Sequence, residues 1–354
     1  MVSNLKSKKI TLVIQTINPA NSYEWSCPAR DKCLVTYPQP AKLMGYPIIK
    51  CVTSSFDDAT IWHMKKDASE PDSVFKIAKQ CVDNFLSSIG DDSSTNETLS
   101  DDEVHNLRVC TKKLRALLQV YRPCHGKKEV KSVEGIIKAL AKSYSEQRDA
   151  HVQYETLTEA VSTFSQDHHV DMQSLLSHFE NKKHNTKSQG VPIPAHAGFD
   201  QILQAWKAML KPDAAPDIKA GVDFAYLKAR KLAGKTQSHD DDEAYHECRK
   251  WVKYYRYQLN LLAHHKSDKD EAYVAKLTTL GEKLGVLNDR CVLEHSLGDL
   301  LESRQANSTK GDSNLKNAGK QMQSWLTEQK LLYKAQCNEL FDELFAHAHN
   351  PVKL

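Results

Sequence analysis

The chain has 354 residues, of which 40% are hydrophobic and 26% charged. That is enough for two ordinary domains, or for one duplicated domain with a real core. Its 48 Lys and Arg against 45 Asp and Glu leave a formal charge of only +3, which excludes a globally basic protein, so any anion site must come from local segregation of charge. No run of 18 apolar residues occurs, which argues against a helical membrane span. The nine cysteines are scattered and odd in number; this favours a reducing compartment over a disulfide framework, and a cytoplasmic location is expected.

Residues 1–72 differ from the rest. They carry Pro19, Pro28, Pro38, Pro40 and Pro47, two β-type runs (ITLVIQTI and YPIIKCVTSS) and the pair Cys27 and Cys33. A small β-containing appendage and a leader without regular structure are both compatible with this composition. The cysteine pair lacks the second pair that a zinc site needs.

From Ser73 onward the pattern is helical. SVFKIAKQCVDNFLSSIG predicts a helix ended by Gly90, and a polar linker follows. The next helix is expected over about 101–122, stopped by Pro123. One long amphipathic helix is expected over 129–164 and a shorter one over 171–187. After GVPIPAHAG (190–198) come a short segment at 199–211 and helices at about 218–235, 240–266, 269–304 and 314–348. Four helices followed by four helices is the simplest count.

Two of these helices carry the same pattern. His105, Arg108, Lys112 and Arg115 recur as His246, Arg249, Lys253 and Arg256, each displaced by 141 residues. At about 100° per residue each set falls within an arc of roughly 80°, a single stripe of a helix. Each stripe helix follows acids (Asp101, Asp102 and Glu103; Asp240, Asp241, Asp242 and Glu243), which complement the positive end of the helix dipole. RDAHV (148–152) and NDRCV (288–292) share Asp and Val at nearly the same offset, so the duplication spans at least two helices. Clustered cations repel one another and call for a counter-anion. Arg offers phosphate a planar fork, Lys a mobile charge, and His a donor charged below about pH 6.5. Asp149 and Asp289 are expected to hold stripe residues in place rather than to ligate a metal.

Catalytic signatures are thin: there is no Gly-rich phosphate loop, H-E-x-x-H, nucleophile elbow or C-x-x-C. The pairs His168–His169 and His264–His265 point about 100° apart on a helix and suit solvent better than a shared metal. No metal or cofactor is expected.

VHNLRVCTKKLRALLQVYRP with LAKSYSEQRDAHVQYETL, HECRKWVKYYRYQLNLL with LGVLNDRCVLEHSL, and GVDFAYLKARK together resemble the CHAD (conserved histidine α-helical) domain over about residues 73–350. The resemblance implies an all-α fold: two four-helix bundles, 73–190 and 199–350, related by pseudo-two-fold symmetry, with 1–72 outside the family. It also implies binding of inorganic polyphosphate without catalysis, through His105, Arg108, Lys112, Lys113 and Arg115 in the first copy. The second copy supplies His246, Arg249, Lys250, Lys253 and Arg256, with Lys228, Arg230 and Lys231 in addition; Arg148, Asp149 and Asp289 support them. Polyphosphate granules in a bacterium are the expected setting. Three rivals stand beside this expectation: a phosphohydrolase or phosphotransferase using His105 or His246 as acceptor, a nucleic-acid backbone binder, and a helical scaffold for an acidic protein. Nucleic acid is disfavoured, because Trp251, Tyr254 and Tyr255 are the stripes' only candidates for stacking on bases.

Overall fold

The computed structural model describes residues 23–27, 30–35, 73–89, 99–167, 170–185, 192–210, 215–238, 241–263, 267–305 and 312–353. Strands β1 (Tyr23–Cys27) and β2 (Arg30–Val35) form an antiparallel hairpin with Trp25 opposite Cys33. It belongs to a compact unit, Met1–Ile61, separate from the unit that holds the helices. The two β-type runs singled out above lie outside the described residues; the hairpin forms between them.

The helices are α1 (Ser73–Ile89), α2 (Asp101–Leu118), α3 (Arg122–His125), α4 (Lys127–Ser143), α5 (Ser145–Asp167), α6 (Gln173–Asn185), α7 (Ala195–Met209), α8 (Ile218–Ser238), α9 (Asp242–Leu262), α10 (Asp268–Gln305) and α11 (Asp312–Leu344). Local chemistry sets several of their ends. Ser100 caps α2 in a reciprocal box with Glu103: its hydroxyl accepts from the Glu103 N–H at 3.3 Å, and its own N–H donates to the Glu103 carboxylate at 2.7 Å. Such a box satisfies two N–H groups that a helix start otherwise leaves bare. Asp241 caps α9 through the Glu243 N–H. Ser267 and Asp270 repeat the reciprocal box at α10.

Two expectations need correction. Pro123 does not stop α2, which ends at Leu118 and continues through a 3₁₀ turn; Pro123 instead starts the short α3, where its missing N–H is harmless. Gly126, at φ +84°, then reverses the chain into α4. The single helix expected over 129–164 is two, broken at Tyr144. That break is tertiary in origin: the Tyr144 hydroxyl donates to the Ile193 carbonyl at 2.8 Å, and the Ile193 N–H donates to the Ser143 hydroxyl at 3.3 Å.

In chain order α1, α2 and α4–α5 are matched by α8, α9 and α10. What is one long helix in the second half is broken once in the first, and α4 and α10 start 141 residues apart, the offset of the stripes. The apolar cores, however, do not follow the halves. The larger joins α1, α2, α4, α7, α8, α9, the N-terminal half of α10 and the end of α11. The smaller joins α5 and α6 to the rest of α10 and the start of α11, around Phe164, Phe179, Leu297 and Trp325. Each core draws on both halves of the sequence.

A tight helix crossing explains a motif glycine. A Cβ on Gly221 would lie 2.7 Å from the Val120 backbone; only glycine lets α8 lie against the turn that follows α2.

Candidate functional site

Both stripe helices pack into the larger core and touch each other. Leu107, Leu114, Leu117 and Leu118 form the buried face of α2; Cys248, Val252, Tyr255 and Leu259 do so on α9. The C-terminal parts of the two helices meet, where the buried Gln258 side chain donates to the Ala116 carbonyl at 2.7 Å and the Arg115 guanidinium lies 5.5 Å from the centre of the Tyr254 ring.

The arginines of each stripe turn toward helices later in the chain, α4 and α5 for the first stripe and α10 for the second. On α2, Arg108 pairs with Asp149 of α5 at 3.2 Å, a contact with its carboxylate half exposed. Arg115 donates through Nη2 and Nε to Glu134 of α4 at 3.0 and 3.3 Å. Lys138 and the Tyr254 hydroxyl reach the same carboxylate oxygen, each at 3.3 Å. Burial works against the Glu134 charge, but Arg115 and Lys138 outweigh it and hold the carboxyl below its ordinary range. Sequence reasoning missed Glu134, which lies a helix away from the stripe and outside any repeated motif.

On α9 the arginines are more deeply set. Burial pulls the Arg249 guanidinium below its ordinary pKa, and Asp289 of α10 works against that pull. Its Nε is shut off from solvent and has no hydrogen-bond partner among the described residues. Arg256 is only 8% exposed; it lies over the Tyr257 ring at 5.1 Å and donates to Thr278 at 3.5 Å. His246 is exposed, with Nδ1 at 2.7 Å from the Asn288 side-chain oxygen, and Asn288 in turn donates to Asp289 at 3.1 Å. Asp149 and Asp289 thus face the matched arginines of the two stripes. The Arg148 side chain lies outside the described residues. His105, Lys112, Lys113 and Lys253 are half-buried on the stripes.

The remaining candidates are placed differently. Lys250 is bound by Glu247 on its own helix at 2.5 Å. Lys228 lies 6.0 Å over the Phe224 ring. Arg230 donates to the Phe345 carbonyl at 3.1 Å and, with Lys231, lines a groove beside Phe341 and Asp342 rather than the one beside His246. The helix opening at Gly221 is thereby accounted for structurally: Gly221 permits the crossing, Tyr226 donates to the His347 carbonyl, and Arg230 satisfies a carbonyl left bare by the end of α11.

The start of α9 is pinned from behind. Lys330 and Lys334 of α11, 8% and 7% exposed, reach Asp242 at 2.6 and 2.8 Å. Burial opposes the Lys330 charge, yet its bonds to Asp242 and Glu294 prevail and raise its pKa. A groove of about 490 Å³ opens beside this point, between α9 and α10, with His246, Asn288, Tyr245 and His295 among its walls.

Histidine pairs His168–His169 and His264–His265 lie outside the described residues. Among the described residues no three His, Cys, Asp or Glu side chains stand together as a metal site, and no helix is long and apolar enough to cross a membrane.

The CHAD domain family model matches residues 89–298, more than half of the sequence. The chain belongs to the CHAD domain family. Among solved structures, the CHAD domain from the plant Ricinus communis superposes with a TM-score of 0.56 at 18% identity, covering 83% of this chain and 98% of that one. PptA from Streptomyces chartreusis superposes with a TM-score of 0.56 at 12% identity, covering 78% of this chain and 99% of its own. At these identities both share the fold. No curated protein matches the sequence. The CHAD match includes both stripes, the Gly221 helix and the RD and ND segments that face the stripe arginines.

Proposed function

We propose that this CHAD domain binds inorganic polyphosphate along the two stripes without hydrolysing it. The observation that carries the reading is the pairing of the stripes: two helices with the same basic register, in direct contact, each with an arginine opposed by an Asp from a later helix, α5 for α2 and α10 for α9. A polyanion with a charge on every unit suits such a row, whereas one phosphate suits a single pocket. His105, Arg108 and Lys112 lead on α2; His246, Arg249 and Lys253 lead on α9. Arg115 joins when phosphate replaces Glu134 as its partner. The association of the CHAD family with polyphosphate supports the same ligand class. Binding at polyphosphate granules in the cytoplasm is the corresponding cellular role.

Nucleic acid is the weaker ligand on a specific observation: Trp251, Tyr254 and Tyr255 are 9%, 4% and 0% exposed, so no base can stack on them. The phosphotransfer alternative is tested by incubating the protein with Mg²⁺ and polyphosphate; steady phosphate release abolished by His105→Ala or His246→Ala overturns the non-catalytic reading. The binding claim is tested by salt titration. By analogy with single-stranded nucleic acid, log K falls with log salt by roughly 0.7 per phosphate neutralised. Replacing Arg108, Lys112 and Arg115 together by Ala is expected to flatten that slope with helicity intact. Unchanged affinity of this variant for long-chain polyphosphate at about 0.15 M salt, where exposed charges are already screened, contradicts the site.

A further inference from the structure

The two stripes repeat in sequence, but the residue beside each repeated Asp does not: Arg148 precedes Asp149, whereas Asn288 precedes Asp289. Arginine only donates hydrogen bonds; an asparagine side chain offers a donor and an acceptor. At α10 this difference has a consequence for His246. The Asp289 carboxylate accepts and cannot donate, so the Asn288 amide must turn its NH₂ toward Asp289, at 3.1 Å. Its carbonyl oxygen is then the atom 2.7 Å from His246 Nδ1. A carbonyl only accepts, so Nδ1 carries a proton in both the neutral and the cationic ring. The Asp289 charge also acts on Arg249, opposing the effect of its burial.

We propose that Asn288 is a positioning residue that fixes the His246 proton on Nδ1 and so makes polyphosphate binding at the second stripe proton-linked. The proton linkage rests on the polyphosphate reading above and adds its regulation. With Nδ1 committed, the neutral ring presents only a lone pair at Nε2, which repels a phosphate oxygen. The cationic ring presents an N–H and a positive charge there. His246 therefore contributes to polyanion binding only after taking up a proton, and the polyanion in turn promotes that uptake.

The other groups around His246 are common to the parent and His246→Gln, so whatever they contribute cancels when the two are compared. On its own helix, Asp242 is neutralised by Lys330 and Lys334 of α11; Glu243 is exposed at the helix start, and Arg249 keeps its charge throughout the physiological range. From α10, burial pushes the Cys291 thiol up to about 12, so it stays neutral, and exposed His295 faces Asp299 at 3.9 Å. From α5 the groove receives Gln153, which does not titrate.

The test has two arms on the full chain. In the first, sodium polyphosphate of one defined length is titrated into the parent, His246→Gln, Asn288→Ala and Asn288→Asp between about pH 6 and 8.5 at constant ionic strength. Protonation of the phosphate ends affects all four proteins equally and cancels. One linked proton changes Kd by at most tenfold per pH unit, and the parent is expected to gain about threefold to tenfold more affinity on acidification than His246→Gln. Asn288→Ala, whose neutral ring is free to carry its proton on Nε2, is expected to lose most of that extra gain. Asn288→Asp still offers an acceptor to Nδ1 but adds a negative charge beside the ring, so it is expected to keep the gain while moving it to higher pH. Parallel pH profiles for the parent and His246→Gln overturn the proposal, as does an Asn288→Ala profile identical to the parent. In the second arm, ring-nitrogen NMR of the ligand-free protein, assigned through His246→Gln, is expected to show neutral His246 protonated on Nδ1. Protonation on Nε2 overturns the proposal whatever the binding data. Absence of binding in the parent at every pH overturns both the proton linkage and the polyphosphate reading, while the NMR arm alone decides the role of Asn288.

Discussion

The two stripes share a sequence pattern but differ in how their charges are met. On α2 the arginines are compensated within the protein: Arg108 by Asp149 at a half-exposed pair, Arg115 by Glu134 in a knot that also takes in Lys138 and Tyr254. On α9 they are more enclosed: half-buried Arg249 carries an Nε that is shut off from solvent with no partner among the described residues, and buried Arg256 is pressed between an aromatic ring and a threonine. At the half-exposed Arg108–Asp149 pair this compensation contributes little, because exposed ion pairs are worth about 0–1 kcal/mol. A desolvated cation with an unmet donor gains far more from an arriving anion, since a hydrogen bond to a charged group contributes roughly 1.5–3 kcal/mol. If the stripes bind polyphosphate as proposed, the same four-residue pattern makes two unequal half-sites, and the second is expected to be the stronger.

That inequality can be broken in a definite order. The largest single effect is expected from Arg249→Leu, which should weaken polyphosphate binding by on the order of tenfold to a hundredfold. Its effect on thermal unfolding should stay modest, because Asp289, the carboxylate left without its partner charge, is only half-buried and stays open to water. A large drop in melting temperature would mean that Arg249 is structural instead. Arg108→Ala should cost binding only several-fold, and stability by at most about 1 kcal/mol; parity with Arg249→Leu in a binding assay would erase the proposed difference between the stripes.

The smallest expected effect has the opposite sign. Glu134→Gln removes the protein's own competitor for Arg115 and should strengthen binding a few-fold by titration at neutral pH. It should also change the acid limb of stability. Glu134 has a folded-state pKa below its unfolded value of roughly 4.3, so it contributes stability that is present above that value and lost as pH falls through the lower one. Denaturant melts between about pH 5 and 2 should therefore lose stability less steeply in Glu134→Gln than in the parent. Equal slopes would show that Arg115 and Lys138 do not favour the charged carboxylate.

Much of the fold and of the site is legible in the amino-acid sequence. Helix ends follow local chemistry: the Ser100 box before α2 and Asp241 before α9. The stripes show themselves because both the spacing and the offset repeat. The break at Tyr144 does not, since that residue continues the apolar pattern and the chain turns there only because Ile193 satisfies both Tyr144 and Ser143. Glu134 and Asn288 are equally hidden, because their importance comes from what faces them across a helix interface. Arg230 shows the converse: it reads as one more cation of the site, yet it serves a carbonyl 115 residues away. Charge pattern reveals which residues are clustered; only packing reveals which charges are already met.

Whether the unequal stripes serve one ligand is the central claim, and the stoichiometry of binding tests it most directly. Calorimetric titration with polyphosphate of defined length should give one chain per protein. That number should persist, with weaker affinity, when either Arg108 and Lys112 or Arg249 and Lys253 are replaced by Ala. Two chains per protein, each abolished by changes on one helix alone, would contradict a single path shared by α2 and α9.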